Sequence, residues 1–202
     1  TDMVVEDIAP YWRVALQHQW GEHYVSVGTY GIAARIFPEA RESGPTDTFT
    51  DVALDAEYQY LAGQSTLGLE TTWVHEKQDR DASFALGDAE NRVDRLNTFK
   101  VNLDYYCHAP FGHIGGTLAY FLVDGKSDRL LYAPGPVNGS RNGSPDSAGF
   151  IFEADYLPLD RLKIALQYTL YNKYNGGRSN YDGFGRDASD NNTLYFALML
   201  LL

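Results

Sequence analysis

The sequence predicts an all-β fold, an antiparallel up-and-down transmembrane β-barrel of the outer-membrane type. Three observations predict it: long stretches of alternating apolar and polar residues, aromatic residues at the ends of those stretches, and connections that are short and long in turn. Successive side chains of a strand point to opposite faces, so each stretch has one apolar and one polar face. A tilted strand that crosses a bilayer needs about 9–11 residues, and most of these stretches reach that length.

Residues 161–174 show the alternation most clearly. One set of alternate residues is Leu162, Ile164, Leu166, Tyr168 and Leu170, and the other runs from Arg161 through Lys163 and Gln167 to Lys173. About nine strands of this kind follow one another along the chain. We predict them at 11–20, 24–37, 49–61, 66–76, 95–108, 113–123, 148–157, 161–174 and 193–202. Gly28 and Gly31 in the second strand indicate a bend or a close backbone approach.

The connections alternate in length. Short turns fall at 21–22, 62–64, 109–112 and 158–160, and long polar loops at 38–48, 77–94, 124–146 and 175–192. Short periplasmic turns and long external loops are typical of outer-membrane barrels. A soluble β-sandwich or soluble closed barrel is the alternative, in which this alternation would be coincidental.

The predicted organisation is an external loop or N-terminal extension at 1–10, which lacks alternation, and a β-barrel domain at 11–202. Bacterial single-chain barrels have an even strand number, with both ends on the periplasmic side. We therefore expect at least one strand to precede residue 1, so that these nine strands form part of a larger even-stranded barrel.

The composition and the motifs argue against several classes of function. The 202 residues carry a net charge of −11, which argues against binding to nucleic-acid phosphates. The single cysteine allows no disulfide within the chain, and no run of about 18 apolar residues is present for a helical span. The 15 tyrosines fit aromatic girdles at two membrane interfaces. No Ser-His-Asp arrangement can be placed, so we expect no enzymatic activity, and a barrel hydrolase remains a minor alternative.

Charged residues within the strands are the candidate functional residues. An Arg or Lys that faces lipid at the midplane costs about 2–4 kcal/mol, so these charges are expected to line the lumen. They are Arg13, Asp51, Asp55, Glu57, Glu70, Lys100, Asp104, Glu153, Asp155, Arg161, Lys163 and Lys173. Two readings stay open: a salt-bridge network that fills the interior, or the lining of an ion-selective pore or of a redox module.

Metal sites are only weakly indicated. Asp182, Asp187 and Asp190, near Asn191 and several glycines, are candidate Ca²⁺ ligands because calcium prefers oxygen donors. Asn, Asp and Gly also simply make turns, which is the alternative. The pair Cys107-His108 matches half of a haem attachment motif and lacks its other positions, and the remaining histidines show no metal-ligand spacing.

Four segments carry a family resemblance. They are NKYNGGRSNYDGFGRDASDNNTLY at 172–195, YWRVALQHQWG at 11–21, TWVHEKQ at 72–78 and NGSPDS at 142–147. Together they resemble the C-terminal barrel of proteobacterial outer-membrane proteins in which a cytochrome c segment is fused to a porin, as in iron-oxidising and other metal-respiring bacteria. The chain departs from that family because it has no Cys-x-x-Cys-His motif.

The resemblance implies a bacterial outer-membrane location, outer-membrane lipid as a partner, and a role in electron transfer. It implies no cofactor within these residues; haem c would lie on an upstream segment or on a partner, such as a cytochrome module or a periplasmic electron carrier. The alternatives are a plain diffusion porin and a non-catalytic structural or partner-binding barrel.

Overall fold

A computed structural model describes residues 4–159 and 161–200, which form one ten-stranded antiparallel sheet. The strands are β1 (Val4–Val5), β2 (Tyr11–Trp20), β3 (His23–Phe37), β4 (Asp47–Ala62), β5 (Ser65–Asp79), β6 (Val93–Ala109), β7 (Gly112–Gly125), β8 (Ser147–Leu159), β9 (Leu162–Lys173) and β10 (Thr193–Leu200). One short helix, α1 (Asp81–Leu86), lies between β5 and β6, and 3₁₀ turns occupy Pro38–Ala40 and Ala188–Asn191. In the described ranges, no helix is long and apolar enough to span a membrane.

The sheet has the predicted up-and-down topology. From β2 to β10 each strand pairs with the next one in the sequence, and all pairs are antiparallel. The all-β prediction and the alternation of short turns and long connections are therefore confirmed. The register is continuous except for two shifts at the ends of the β8–β9 pair, so a row of residues on one face can be followed across the middle of the sheet.

The sheet is not closed. Among the described residues, strand β10 pairs with β9 alone, while the short β1 and β2 lie end to end along β3 at the opposite edge. Strand β2 runs from the long-connection end to the turn at Gly21–Glu22, and β10 runs in the same direction from the 174–192 connection. The two edges thus have the same orientation. A direct pair between them would be parallel in an otherwise antiparallel sheet.

The structure differs from the sequence prediction mainly in three places. Within the predicted N-terminal loop, Val4–Val5 forms β1 by pairing with Phe37 and Ile36; residues 1–3 lie outside the described part of the chain. Strands β5 and β6 extend into the predicted 77–94 loop, because cross-strand pairing such as Asp79 with Val93 continues without apolar alternation. Arg161 lies in the exposed turn before β9 rather than in the strand.

The two faces of the sheet differ sharply in chemistry. One face carries the apolar side chains of every strand. Many of them are exposed, for example Leu16 (79% exposed), Leu54 (55%) and Leu198 (64%). The other face carries the polar set. In the described ranges, the buried hydrophobic residues of the sheet are mainly alanines, and the largest fully buried side chain, Tyr181, lies in a connection. Residues 4–159 and 161–200 form no hydrophobic core of the usual kind, since many of their aliphatic side chains are not covered by protein.

The long connections pack against one another at one end of the sheet. Tyr181 in the 174–192 connection is 1% exposed, and its hydroxyl donates to the Val137 carbonyl at 2.7 Å. Arg141 N–H donates to the Tyr181 carbonyl, and Asn175 Nδ2 donates to the carbonyls of Asn138 and Gly139. The 126–146 and 174–192 connections therefore form one ordered unit, which we call the loop cap.

Candidate functional site

The polar face of the sheet is the candidate functional site. Sequence alternation assigns its members strand by strand, and the register brings them together as continuous rows. Ten of the twelve predicted lumen residues lie on this face: Arg13, Asp51, Asp55, Glu57, Glu70, Lys100, Asp104, Glu153, Asp155 and Lys163.

The remaining two predicted residues lie at opposite ends of β9. Lys173 is at its long-connection end, where its Nζ contacts Asp146 Oδ2 at 2.7 Å and ties β9 to the 126–146 connection. Arg161 is exposed in the short turn. Arg161 precedes β9, and Lys173 follows a register shift between β8 and β9 that interrupts the face alternation.

Arg13 and Asp55 form an ion pair across three strands. Arg13 Nη2 lies 2.7 Å from Asp55 Oδ2, although the strands β2 and β4 are separated by β3. The side chains can cross because Gly28 lies between them: a Cβ there would stand 2.8 Å from Asp55 Oδ1. The predicted close approach at Gly28 is thus explained by the ion pair that passes over it.

A second polar cluster connects β6, β8 and β9. The Tyr106 hydroxyl donates to Asp155, which is 3% exposed, and Lys163 Nζ lies 3.0 Å from Asp155 Oδ2 and 3.3 Å from Glu153 Oε1. The Tyr106 ring lies across Gly115, where any side chain would collide with it. We call these four residues, Tyr106, Glu153, Asp155 and Lys163, the lysine cluster.

The β4–β5 part of the polar face is strongly acidic. Glu57 stands directly opposite Glu70, and Asp51 directly opposite Glu76. Directly opposed like charges destabilise an antiparallel pair. Asp51 Oδ1 and Asp55 Oδ1 are buried without a hydrogen-bond partner in the described structure. The β4–β5 part of the polar face therefore carries a high density of negative charge.

The calcium candidates serve the loop cap instead. Asp182 accepts hydrogen bonds from the backbone N–H groups of Phe184, Arg186 and Val137. Burial raises the pKa of Asp182, but these backbone hydrogen bonds outweigh it, and the pKa lies below its ordinary value. Asp187 and Asp190 form a reciprocal capping box around the 3₁₀ turn at Ala188–Asn191. The calcium prediction gains no support from this geometry.

No metal-binding group of three or more His, Cys, Asp or Glu side chains occurs in residues 4–159 and 161–200. Haem c attachment needs two cysteines followed by a histidine, and the sequence has one cysteine, Cys107, which lies on the apolar face. These residues therefore do not fit a covalently attached haem.

Three features of the polar face escaped sequence reasoning. Tyr106 and Glu76 become important only through their partners Asp155 and Asp51, which are distant in sequence. His108 and His113 come into contact across a two-residue turn. The five-residue interval between the histidines was the available signal, since it places both on the same face of a tight hairpin.

The chain was compared with protein-family models, with curated proteins and with solved structures, and none of the three comparisons gave a match.

Proposed function

We propose that this chain forms part of a bacterial outer-membrane β-barrel whose apolar face contacts lipid and whose polar face lines a lumen. The observation that carries the proposal is the uncovered apolar face: large aliphatic and aromatic side chains on every long strand are exposed, and the described part of the sheet has no aliphatic core. Contiguous exposed apolar surface on this scale marks an interaction with membrane or protein.

The distribution of aromatic residues supports lipid as the environment of that face. Near the short turns Trp20, His23 and Tyr60 stack on one another, with ring centroids 5.3 Å and 4.9 Å apart. Near the long connections Trp73 stacks on His75. Amphipathic rings at two levels, with aliphatic residues such as Leu69 between them, match the girdles of outer-membrane barrels.

Antiparallel closure of such a barrel needs further strands between β10 and β2. Both edges run from the long-connection end to the short-turn end, so an antiparallel closure takes an odd number of strands with the opposite direction. The nine long strands β2 to β10 plus an odd number give an even total, as in bacterial single-chain barrels.

We propose that the barrel belongs to a cytochrome–porin type of electron-transfer protein, with the haem on another segment or on a partner. The four resembling segments carry this step. A plain diffusion porin is the second candidate, favoured by the charged polar face. A structural or partner-binding barrel is the third, favoured by the ordered loop cap, which exposes Leu130, Val137 and Phe184.

Planar-bilayer conductance of the purified natural protein tests the lumen. Stepwise conductance is expected for a diffusion porin, and its absence together with a haem absorbance spectrum is expected for a lumen occupied by a redox module. Absence of both leaves the partner-binding barrel. Stable extraction of the protein into water without detergent would contradict membrane residence and all three readings.

A further inference from the structure

A histidine pair closes the β6–β7 hairpin on the polar face. His108 and His113 stand directly opposite each other, separated by Ala109, the turn residues Pro110 and Phe111, and Gly112. His108 Nδ1 lies 3.2 Å from His113 Nε2, and the ring centroids are 4.6 Å apart at an interplanar angle of 64°. The two rings are held together by the paired strands and not by a flexible loop.

The pair is accessible on two sides. A cavity of about 330 Å³ beside Gln64, Thr66 and Tyr106 opens onto both rings, and a second one of about 360 Å³ lies between the rings and Leu157. His108 is exposed and His113 is half-buried. Within the described ranges, the only side-chain hydrogen bond of either ring is the one between them. Their nitrogen atoms are therefore free to exchange this bond for another partner.

We propose that His108 and His113 together bind one divalent transition-metal ion, of the class Cu²⁺, Ni²⁺ or Zn²⁺. Metal–imidazole bonds of about 2.0–2.1 Å that meet between a right angle and the tetrahedral angle hold their nitrogens about 2.9–3.4 Å apart. The observed separation of 3.2 Å falls in that interval. The metal takes the place of the proton shared by the rings, and the proton donor shifts that proton to its other nitrogen.

The site supplies two protein ligands, since the described residues contain no group of three or more metal-ligating side chains. Water completes the coordination. Neutral imidazole suits Cu²⁺, Ni²⁺ and Zn²⁺, and the general affinity order places Cu²⁺ first. Because metal ligation needs neutral imidazole nitrogens, protons compete with the metal and acid weakens binding. This inference does not depend on the membrane location or on conduction.

The test is a calorimetric titration of the folded, tag-free full chain with CuCl₂, NiCl₂ and ZnCl₂. We expect one ion per chain, with the tightest binding for Cu²⁺ and ¹⁴N hyperfine coupling from two imidazoles in its electron paramagnetic resonance spectrum. His108→Gln and His113→Gln should each weaken binding at least about tenfold, and the double variant should add little, because the ligands act as a pair.

Two control variants test whether metal binding is specific to the histidine pair. His75→Gln alters a histidine on the apolar face at the other end of the sheet and should leave the titration unchanged. Cys107→Ser removes the neighbouring thiol and should also leave it unchanged. Equal metal binding by wild type and the double variant would overturn the proposal. So would loss of binding in Cys107→Ser, or an unchanged affinity in either single histidine variant.

Discussion

At the residue scale, the lysine cluster shows how a buried carboxylate on the polar face is stabilised by its neighbours. Asp155 is almost fully buried, and its Oδ2 atom receives both the Tyr106 hydroxyl and the Lys163 ammonium. A buried carboxylate that loses a partner carries the full cost of its missing solvation. The cluster therefore stabilises the β6–β8–β9 region only while all its members are present.

Replacement of Lys163 by Met is expected to lower the free energy of unfolding by about 1–3 kcal/mol, because Asp155 keeps a buried charge without its cation. Denaturant unfolding followed by tryptophan fluorescence measures the change. Lys77→Met is the matched control, since its ion pair with Asp79 at 2.8 Å is solvent-exposed and should contribute under about 1 kcal/mol. Equal losses in the two variants would show that burial of Asp155 does not set the energy.

At the same scale, the Asp128 carboxylate links the 126–146 connection to the connection between β5 and β6. Oδ2 accepts the N–H groups of Glu90 and Asn91, both at 2.8 Å, and Oδ1 accepts those of Leu130 and Leu131 at 3.0 and 2.9 Å. Burial raises the pKa of Asp128, but the four backbone hydrogen bonds outweigh it, so the pKa lies below the ordinary value.

The direction of this pKa shift predicts a pH dependence. A carboxyl group with a lower pKa in the folded state stabilises that state fully above its unfolded pKa, about 3.9, and stops doing so as the pH falls through the folded pKa. Amides 90, 91, 130 and 131 should therefore lose hydrogen-exchange protection below about pH 4. In Asp128→Asn these amides should be less protected at neutral pH and nearly insensitive to acid. Equal protection of these amides in wild type and Asp128→Asn at neutral pH would contradict this assignment.

At the element scale, each long strand is a ribbon with one apolar and one polar side, and the register aligns the sides across the sheet. Leu54 and Asp55 are neighbours in β4 that point to opposite faces, one exposed and apolar, the other in an ion pair with Arg13. A shift of the register by one residue would exchange the two faces, so both faces together define the register.

An arginine is expected to destabilise the protein on the apolar face and to change its stability little on the polar face. With the apolar face in lipid, as proposed, Leu54→Arg should destabilise the protein folded into lipid vesicles by about 2–4 kcal/mol. Thr72→Arg lies on the polar face opposite Asp55 and should change stability little. Folding into vesicles followed by urea titration measures both. If Leu54→Arg proved as stable as wild type, lipid would not cover this face.

At the scale of the whole molecule, the open sheet presents two edges with the same strand direction. Unpaired edges leave rows of backbone N–H and C=O groups without partners, which proteins normally cover. Strand direction permits an odd number of antiparallel strands between β10 and β2 and disfavours their direct contact.

Thiol cross-linking in a Cys107→Ser background tests the proposed closure. Phe196→Cys with Leu166→Cys joins register partners on β10 and β9 and should cross-link readily. Phe196→Cys with Leu16→Cys, which would join the two edges directly, should not cross-link within a chain. An efficient intrachain β2–β10 cross-link would contradict closure by intervening strands.

The sequence alone determined the strands, their order along the chain and the face on which most charges lie, because a period of two is a local property of the backbone. It predicted Asp55 and Asp155 on the polar face but could not pair them with Arg13 and Lys163, which belong to other strands. It also suggested calcium at Asp182, where the tertiary structure uses the carboxylate to hold backbone N–H groups.

Only the tertiary structure decided the register, the continuation of β5 and β6 into an aperiodic segment, the loop cap and the contact between His108 and His113. Each depends on which strands lie side by side, and cross-strand distances are absent from a one-dimensional pattern. The alternation specifies what each face offers, and the pairing of strands specifies which groups meet there.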